Sequence, residues 1–298
     1  MTAAALPLRF QIGARTLLTV RRRLARAPLS LADALAGCLP ALPPLEPGAD
    51  GYAITSLPVE RLAEIRTDAH LAYVRNQYTR YYVDLALGFE TWSAQLSANA
   101  RSAIKRKAKR LAAASGGALD IRRFTAPDEI AAFLPEARAL SERTYQHRLL
   151  GAGLPDSPAF TRDALGRAAA GEVRGWLLWV EDRAVAYLFC TAQDGDLRYD
   201  YVGHDPAFAD LSPGSVLQAE VLRDLMAERR FARFDFLEGE GRHKRQYASG
   251  GVACCDLLLL RPTLANRALV AALAGFDAAV TASKRLPALR KLASKIRR

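Results

Sequence analysis

The sequence predicts an α+β fold with an antiparallel meander at its centre. Two observations carry this. Three consecutive strand-like runs, 174–181, 184–192 and 197–203, are joined by turns at Asp182-Arg183 and Asp194-Gly195-Asp196. Around them, helical stretches come in the order strand, two helices, meander, helix, strand, which is not the alternation of a parallel α/β sheet.

The elements follow in chain order. Residues 8–20 and 70–86 space β-branched and aromatic residues as strands do, and 59–66 (VERLAEIR) reads as a helix. Residues 40–51 are rich in Pro and Gly and predict a loop. One long helix is expected from Trp92 through Leu111, stopped at Ser115-Gly116-Gly117. Residues 119–124 predict a strand, with helices at 127–147 and 158–170 and a Gly/Pro-rich loop at 151–158 between them. After the meander and a loop at 204–212, a helix is expected at 213–229. A strand at 232–239, a short helix near 242–248 and a strand at 254–260 complete the series. Beyond them Leu269, Leu273, Phe276 and Val280 keep one apolar stripe, and Leu289, Leu292 and Ile296 another. The expected domains are 1–91, 92–262 and a helical basic tail, 263–298.

Composition bounds the function. With 298 residues, half hydrophobic and 24% charged, the chain is long enough for one large domain or two small ones and is not disordered. The net charge of +11 is concentrated: residues 101–110 and 284–298 hold runs of Lys and Arg without an acid. Such runs predict an anionic partner, whether phosphate, nucleic acid or lipid. Four cysteines without C-x-x-C spacing, and four scattered histidines, predict no metal and a reducing, cytoplasmic setting. No signal peptide is expected. The apolar stretch 264–283 is broken by Arg267 and Asp277, so no membrane span is expected either.

The most informative segment is Asp210-Leu211-Ser212-Pro213-Gly214-Ser215-Val216, between a strand and a helix. Ser212 suits an N-cap, Pro213 suits the first helical position, and Gly214 lets a ligand approach the first-turn amides. Those amides and the positive helix end suit a pyrophosphate. The same triplet also starts ordinary helices.

The ordered runs YDYVGHDPAFADLSPGSVLQAEVLRDL (199–225) and FDFLEGEGRHKRQY (234–247), the basic helix LSANARSAIKRKAKRL (96–111) and TYQ (144–146) together resemble the GNAT superfamily, in its FemAB-like branch. The pair His243-Lys244 stands where that branch often has Tyr-Lys. The resemblance covers roughly 92–262. It implies a GNAT fold with a mixed, mostly antiparallel central sheet flanked by helices, preceded by a smaller, degenerate α/β half and followed by the basic helical tail. It further implies acyl-CoA as co-substrate, with its pyrophosphate on Leu211, Ser212, Pro213, Gly214, Ser215 and Val216. The pantetheine arm would wedge between parallel strands at 197–203 and 232–239, where a backbone amide polarises the thioester carbonyl.

An attacking amine must lose a proton. Glu238, His204 and Asp200 are the candidate bases, each equally readable as a solvated or turn residue. Tyr201 is a candidate acid for the leaving thiolate or a packed core tyrosine, with Tyr199 on its face by strand alternation. Tyr145, Tyr199, His243 and Lys244 are candidate substrate contacts. The basic tail Lys284–Arg298 suggests an anionic membrane, on the inner face, and hence a lipid amine such as a long-chain base. Two other readings stay open: transfer from aminoacyl-tRNA, with the basic helix on RNA, and a non-catalytic nucleic-acid or membrane binder.

Overall fold

In the computed structural model of the chain, residues 2–13, 15–65, 69–144, 153–239 and 241–285 are described. The elements begin with β1 (Ala4–Ile12), β2 (Arg15–Pro28), α1 (Leu31–Leu35), β3 (Gly51–Pro58) and β4 (Leu71–Asp84). Next are α2 (Phe89–Gln95), α3 (Ala98–Ala114), β5 (Asp120–Phe124), α4 (Pro127–Arg143) and α5 (Pro158–Ala169). The meander is β6 (Val173–Val180), β7 (Arg183–Gln193) and β8 (Asp196–His204), followed by α6 (Pro213–Glu228). Then come β9 (Arg233–Asp235), α7 (Arg242–Tyr247), β10 (Gly250–Leu260) and α8 (Leu264–Arg285).

The chain forms two compact units, residues 30–32 with 78–252, and residues 1–29, 33–77 and 253–298. The sequence reading placed boundaries at 91/92 and 262/263. The compact units divide within β4 and β10, each of which contributes to both.

In the unit containing 78–252, the strand order is β4-β9-β8-β7-β6-β5. All neighbours are antiparallel except β8 and β9. Both faces of this sheet are covered. On one, Trp176, Leu178, Leu188 and Cys190 pack with Trp92, Leu111 and the buried residues of α6. On the other, Leu177, Tyr187 and Phe189 pack with Phe133 of α4 and Ala164 of α5. A strand buried on both sides reads as an apolar run, which is why 174–180 and 184–190 lack polar alternation.

Three elements differ from expectation. The helix expected over 92–111 is two helices: Leu96 is extended, and Ser97 accepts the Ala100 amide at 3.2 Å, capping a new start. Residues Val59–Glu64 form a 3-10 helix rather than an α-helix. The strand expected at 232–239 is only Arg233–Asp235, because Leu237 takes a positive φ of 60° and leaves the extended region.

In the other unit the strand order is β1-β2-β3-β10, with β2 and β3 parallel. α8 lays Leu269 and Leu273 on the cluster formed by Leu8, Phe10, Leu24 and Leu258. Inside α8, Leu264–Ser283 is long and apolar enough to cross a membrane by length and composition. Arg267 and Asp277 interrupt this stretch. Here its apolar stripe packs on the unit's own core, and Asp277 accepts from the Tyr73 hydroxyl at 2.5 Å. Residues 286–298, most of the basic tail, lie outside the described residues.

Candidate functional site

The site is built where β8 and β9 begin parallel and then part. They pair at Leu197↔Phe234 and Arg198↔Asp235 and no further, although β8 continues to His204. Two devices hold them apart. The first is Asp235, only 1% exposed, whose carboxylate accepts from Arg80 Nη2 at 2.6 Å and Nε at 3.2 Å and from the Leu237 amide at 2.9 Å. This pins the chain after β9 in its left-handed turn.

The second device is a β-bulge in β8. Cys190 opposes Tyr199 and Phe189 opposes Tyr201, so Asp200 is the extra residue. Its carboxylate accepts from the Thr191 amide at 2.8 Å and hydroxyl at 2.6 Å, and Arg198 stands at 3.3 Å. Burial pushes its acidity down, raising the pKa, while Thr191 and Arg198 oppose that. Asp200 thus closes the bulge, and its carboxylate is engaged.

The bulge corrects the strand alternation. Tyr199 and Tyr201 were expected on one face; the extra residue turns them to opposite faces. Tyr199 packs edge-on against Phe234 and Phe236, and Tyr201 against Phe160 and Phe189. Burial raises the pKa of both. His243, on α7, lies 6.4 Å from the Tyr199 ring and from Phe236. Its pKa is lowered by burial and then by Lys244, so the imidazole is neutral at pH 7.

Glu238 is exposed on the turn after β9, and Lys244 Nζ donates to the carbonyls of Glu238 at 2.6 Å, Gly239 at 3.2 Å and Leu237 at 3.5 Å. The ammonium is therefore a clamp on this turn. Tyr145 lies outside the described residues.

At the start of α6, the segment Leu211–Val216 is more closed than expected. Ser212 is left-handed (φ 55°, ψ 48°) and its side chain makes no cap bond, contrary to the sequence reading. Its amide donates to Ala209 O at 2.9 Å, and its carbonyl takes the amides of Ser215 and Val216 at 3.1 and 3.3 Å. Pro213 holds the first helical position and has no donor. Gly214 is then the one residue of 212–216 whose N–H has no backbone partner among the described residues. A Cβ on Gly214 would stand 3.6 Å from His204 Nδ1, so the exposed His204 borders that amide. Asp205 behaves as the turn residue its sequence suggested, accepting from the Ala207 amide at 2.9 Å and pairing with Arg183.

Sequence reasoning missed three groups here. Lys107 of α3 donates from Nζ to Ser215 Oγ at 3.3 Å, bringing a cation to the start of α6. Tyr247 donates to Ser215 O at 3.3 Å and is itself stacked on Trp92. Arg80 was visible only as one more arginine in a strand. The basic run at 101–110 was the available signal for Lys107; nothing local marked Tyr247 or Arg80.

A separate polar cavity of about 440 Å³ lies at the β7–β8 turn, lined by Arg167, Glu172, Thr191, Gln193, Asp194 and Arg198. It is at the opposite end of β8 from His204. Among the described residues no group of His, Cys, Asp and Glu is placed to hold a metal ion.

Residues 98–245 match the family described as an acetyltransferase (GNAT) domain. No curated protein matches the sequence. Among solved structures, the C-terminal domain of a protein assigned as a lysylphosphatidylglycerol synthetase from Agrobacterium fabrum superposes with a TM-score of 0.51 at 12% identity, covering 76% of this chain and 72% of that one. L-PGS from Bacillus licheniformis gives 0.49 at 13% identity, covering 74% and 71%. FemX gives 0.49 at 9% identity, covering 72% of each chain. At 12% identity the first likeness is one of fold, and it agrees with the mixed, mostly antiparallel sheet flanked by helices. By its 98–245 domain, the chain belongs to the GNAT superfamily of acetyltransferases.

Proposed function

We propose that this chain transfers an acyl group from acyl-CoA to an amine, with a lipid or membrane-proximal amine such as a long-chain base as acceptor. The observation that carries this reading is the early parting of β8 and β9 beside a Gly214 amide that has no backbone partner among the described residues. An extended thioester arm fits between two strands that separate, because the β8 edge beyond Arg198 no longer pairs with β9. The donor's pyrophosphate would take the Gly214 N–H, the positive end of α6 and the nearby Lys107 ammonium. Leu211, Ser212, Pro213, Ser215 and Val216 shape that turn around the phosphates.

In the reaction the amine nitrogen attacks the thioester carbonyl carbon, the C–S bond breaks, and the amine proton leaves to a base while the CoA thiolate is protonated. Glu238 and His204 are the proposed bases, reached directly or through water. Asp200 acts on β8's shape, since its oxygens serve Thr191. Tyr201 faces the α4 and α5 side, so Tyr199 and His243 are proposed as the substrate contacts, with Lys244 holding the turn that bears Glu238.

The purified chain, given a medium-chain acyl-CoA and a sphingoid base, should release CoA thiol and form the amide, seen by mass spectrometry. Absence of both with every lipid amine tried, together with no thermal stabilisation by CoA, overturns the proposal.

One observation favours a second donor. Lys105, Arg106, Lys109 and Arg110 of α3 are all exposed and fall along one stripe of the helix, suited to an anionic polymer. Aminoacyl transfer from a charged tRNA, with RNA co-purifying and no CoA binding, is the result that would select it.

A further inference from the structure

The end of the first hairpin carries side chains its own unit does not use. The register of β1 and β2 steps between Phe10 and Gln11, leaving Leu17 without a cross-strand partner beside Leu18. A bulge sets two residues of one strand against one of the other and re-aims their side chains. Ile12, Leu17 and Leu18 are 50%, 52% and 55% exposed, half of the six exposed large apolar side chains among the described residues. Scattered leucines on a surface need no explanation, but three at one strand end do.

Their neighbours are cations. Arg9, Arg15 and Arg21 are exposed on the same two strands, and among the described residues no carboxylate pairs with them. Farther from the hairpin end, the arginines are used internally. Arg22 Nε donates to Asn266 Oδ1 at 2.9 Å, and Arg23 pairs with Glu46 at 3.9 Å.

α8 runs toward the same end. Asn266 meets Arg22, which pairs with Leu6, and Phe276 stacks edge-on against Phe10, which pairs with Leu18. From Phe276 to Arg285 the helix advances about 14 Å further. The hairpin advances about 10 Å from Phe10 to its turn. The helix therefore ends level with the hairpin turn, and the sequence that follows it is the basic 286–298 segment.

We infer that the β1–β2 hairpin end docks into the interfacial region of an anionic phospholipid bilayer. Ile12, Leu17 and Leu18 enter the boundary between headgroups and acyl chains, and Arg9, Arg15 and Arg21 meet lipid phosphates. The charge pattern selects this occupant. A second copy would set arginines against arginines, and a nucleic acid would give three aliphatic side chains nothing to bury against. The inference is independent of which donor the other unit uses.

The test uses the full chain and vesicles of phosphatidylcholine with or without phosphatidylglycerol, by co-sedimentation. Binding is expected on the anionic vesicles and at least about tenfold weaker on neutral ones. The triple variant Ile12→Ser/Leu17→Ser/Leu18→Ser should weaken anionic binding about tenfold or more. Arg9→Ala/Arg15→Ala should also weaken it about tenfold. An indole introduced by Leu17→Trp should shift its emission to the blue on vesicles and be quenched by brominated lipid. This readout holds even if the triple variant misfolds. The inference fails if no vesicle binds, if the triple variant binds like the parent so that the basic tail alone suffices, or if the indole stays in water while the protein sediments. It also fails if the substitutions change only the oligomeric state or RNA retention.

Discussion

Two of the β-bulges, one in β8 and one in β2, have extra residues that meet opposite fates. In β8 the extra residue is Asp200, whose carboxylate is consumed by the Thr191 amide and hydroxyl. In β2 it is Leu17, half exposed and without a neighbour across the strand. The same backbone irregularity is closed from within in one unit and left open in the other. An internally satisfied bulge shapes its own strand, here turning Tyr199 and Tyr201 to opposite faces. An unsatisfied apolar bulge costs hydration for as long as nothing outside the chain covers it. The satisfied bulge is held by its own unit; the open one leaves an apolar side chain in water.

Four measurements sharpen or break that contrast. The largest effect is expected at Arg80→Ala, which strands the Asp235 carboxylate in the interior beside the parting strands. It should cost about 3–5 kcal/mol in urea unfolding. A loss under about 1 kcal/mol would mean the mouth of β8 and β9 is not held by this pair. Asp200→Ala should cost about 2 kcal/mol by removing the acceptor for two Thr191 donors. It should also lower kcat more than it raises KM, since it changes the strand's shape; an unchanged kcat would separate the bulge from catalysis.

Asp196, at the start of β8, gives a pH signature. Burial raises its pKa from 3.8 to about 6, against the pull of Arg233 at 3.1 Å. Below about pH 4 both folded and unfolded chains hold the proton. Between about 4 and 6 only the folded chain keeps it, so stability falls as pH rises through that window, by on the order of 2 kcal/mol, and then levels. Asp196→Asn should flatten the slope of Tm against pH there; an unaltered slope would refute the assignment. The smallest effect is expected for Leu17→Ser, within about 0.5 kcal/mol, because an exposed side chain contributes little to the fold. A loss above about 2 kcal/mol would show that Leu17 is packed after all.

The meander, the two helices before it and the start of α6 were legible because period and turn chemistry are local. Asp194-Gly195 gave the β7–β8 turn, and Ser-Pro-Gly gave the start of α6. What stayed hidden depended on partners far along the chain. The stretch 232–239 has strand composition, yet Leu237 leaves the strand because Asp235 takes its amide. Alternation put Tyr199 and Tyr201 together, and only the pairing register with β7 reveals the inserted residue between them. The split at Leu96 was readable in hindsight from Ser97, a capping residue three positions before Ala100. The Ser212-Pro213-Gly214 turn was legible as a helix start but not as a nearly closed one, since the pairing of the Ser212 carbonyl depends on its left-handed backbone. Lys107 was one of six cations, and no sequence feature says which of them turns toward Ser215.

Cys190, Cys254 and Cys255 are fully buried, and burial raises the pKa of the Cys190 and Cys255 thiols, whereas Cys38 is half-buried. A dye that reports thiols by disulfide exchange needs an accessible thiolate. The folded protein therefore contributes at most the Cys38 signal per chain to such a colour assay. Coenzyme A freed over many turnovers rises above that fixed background, so the proposed reaction can be followed continuously without radioactive donor or chromatography.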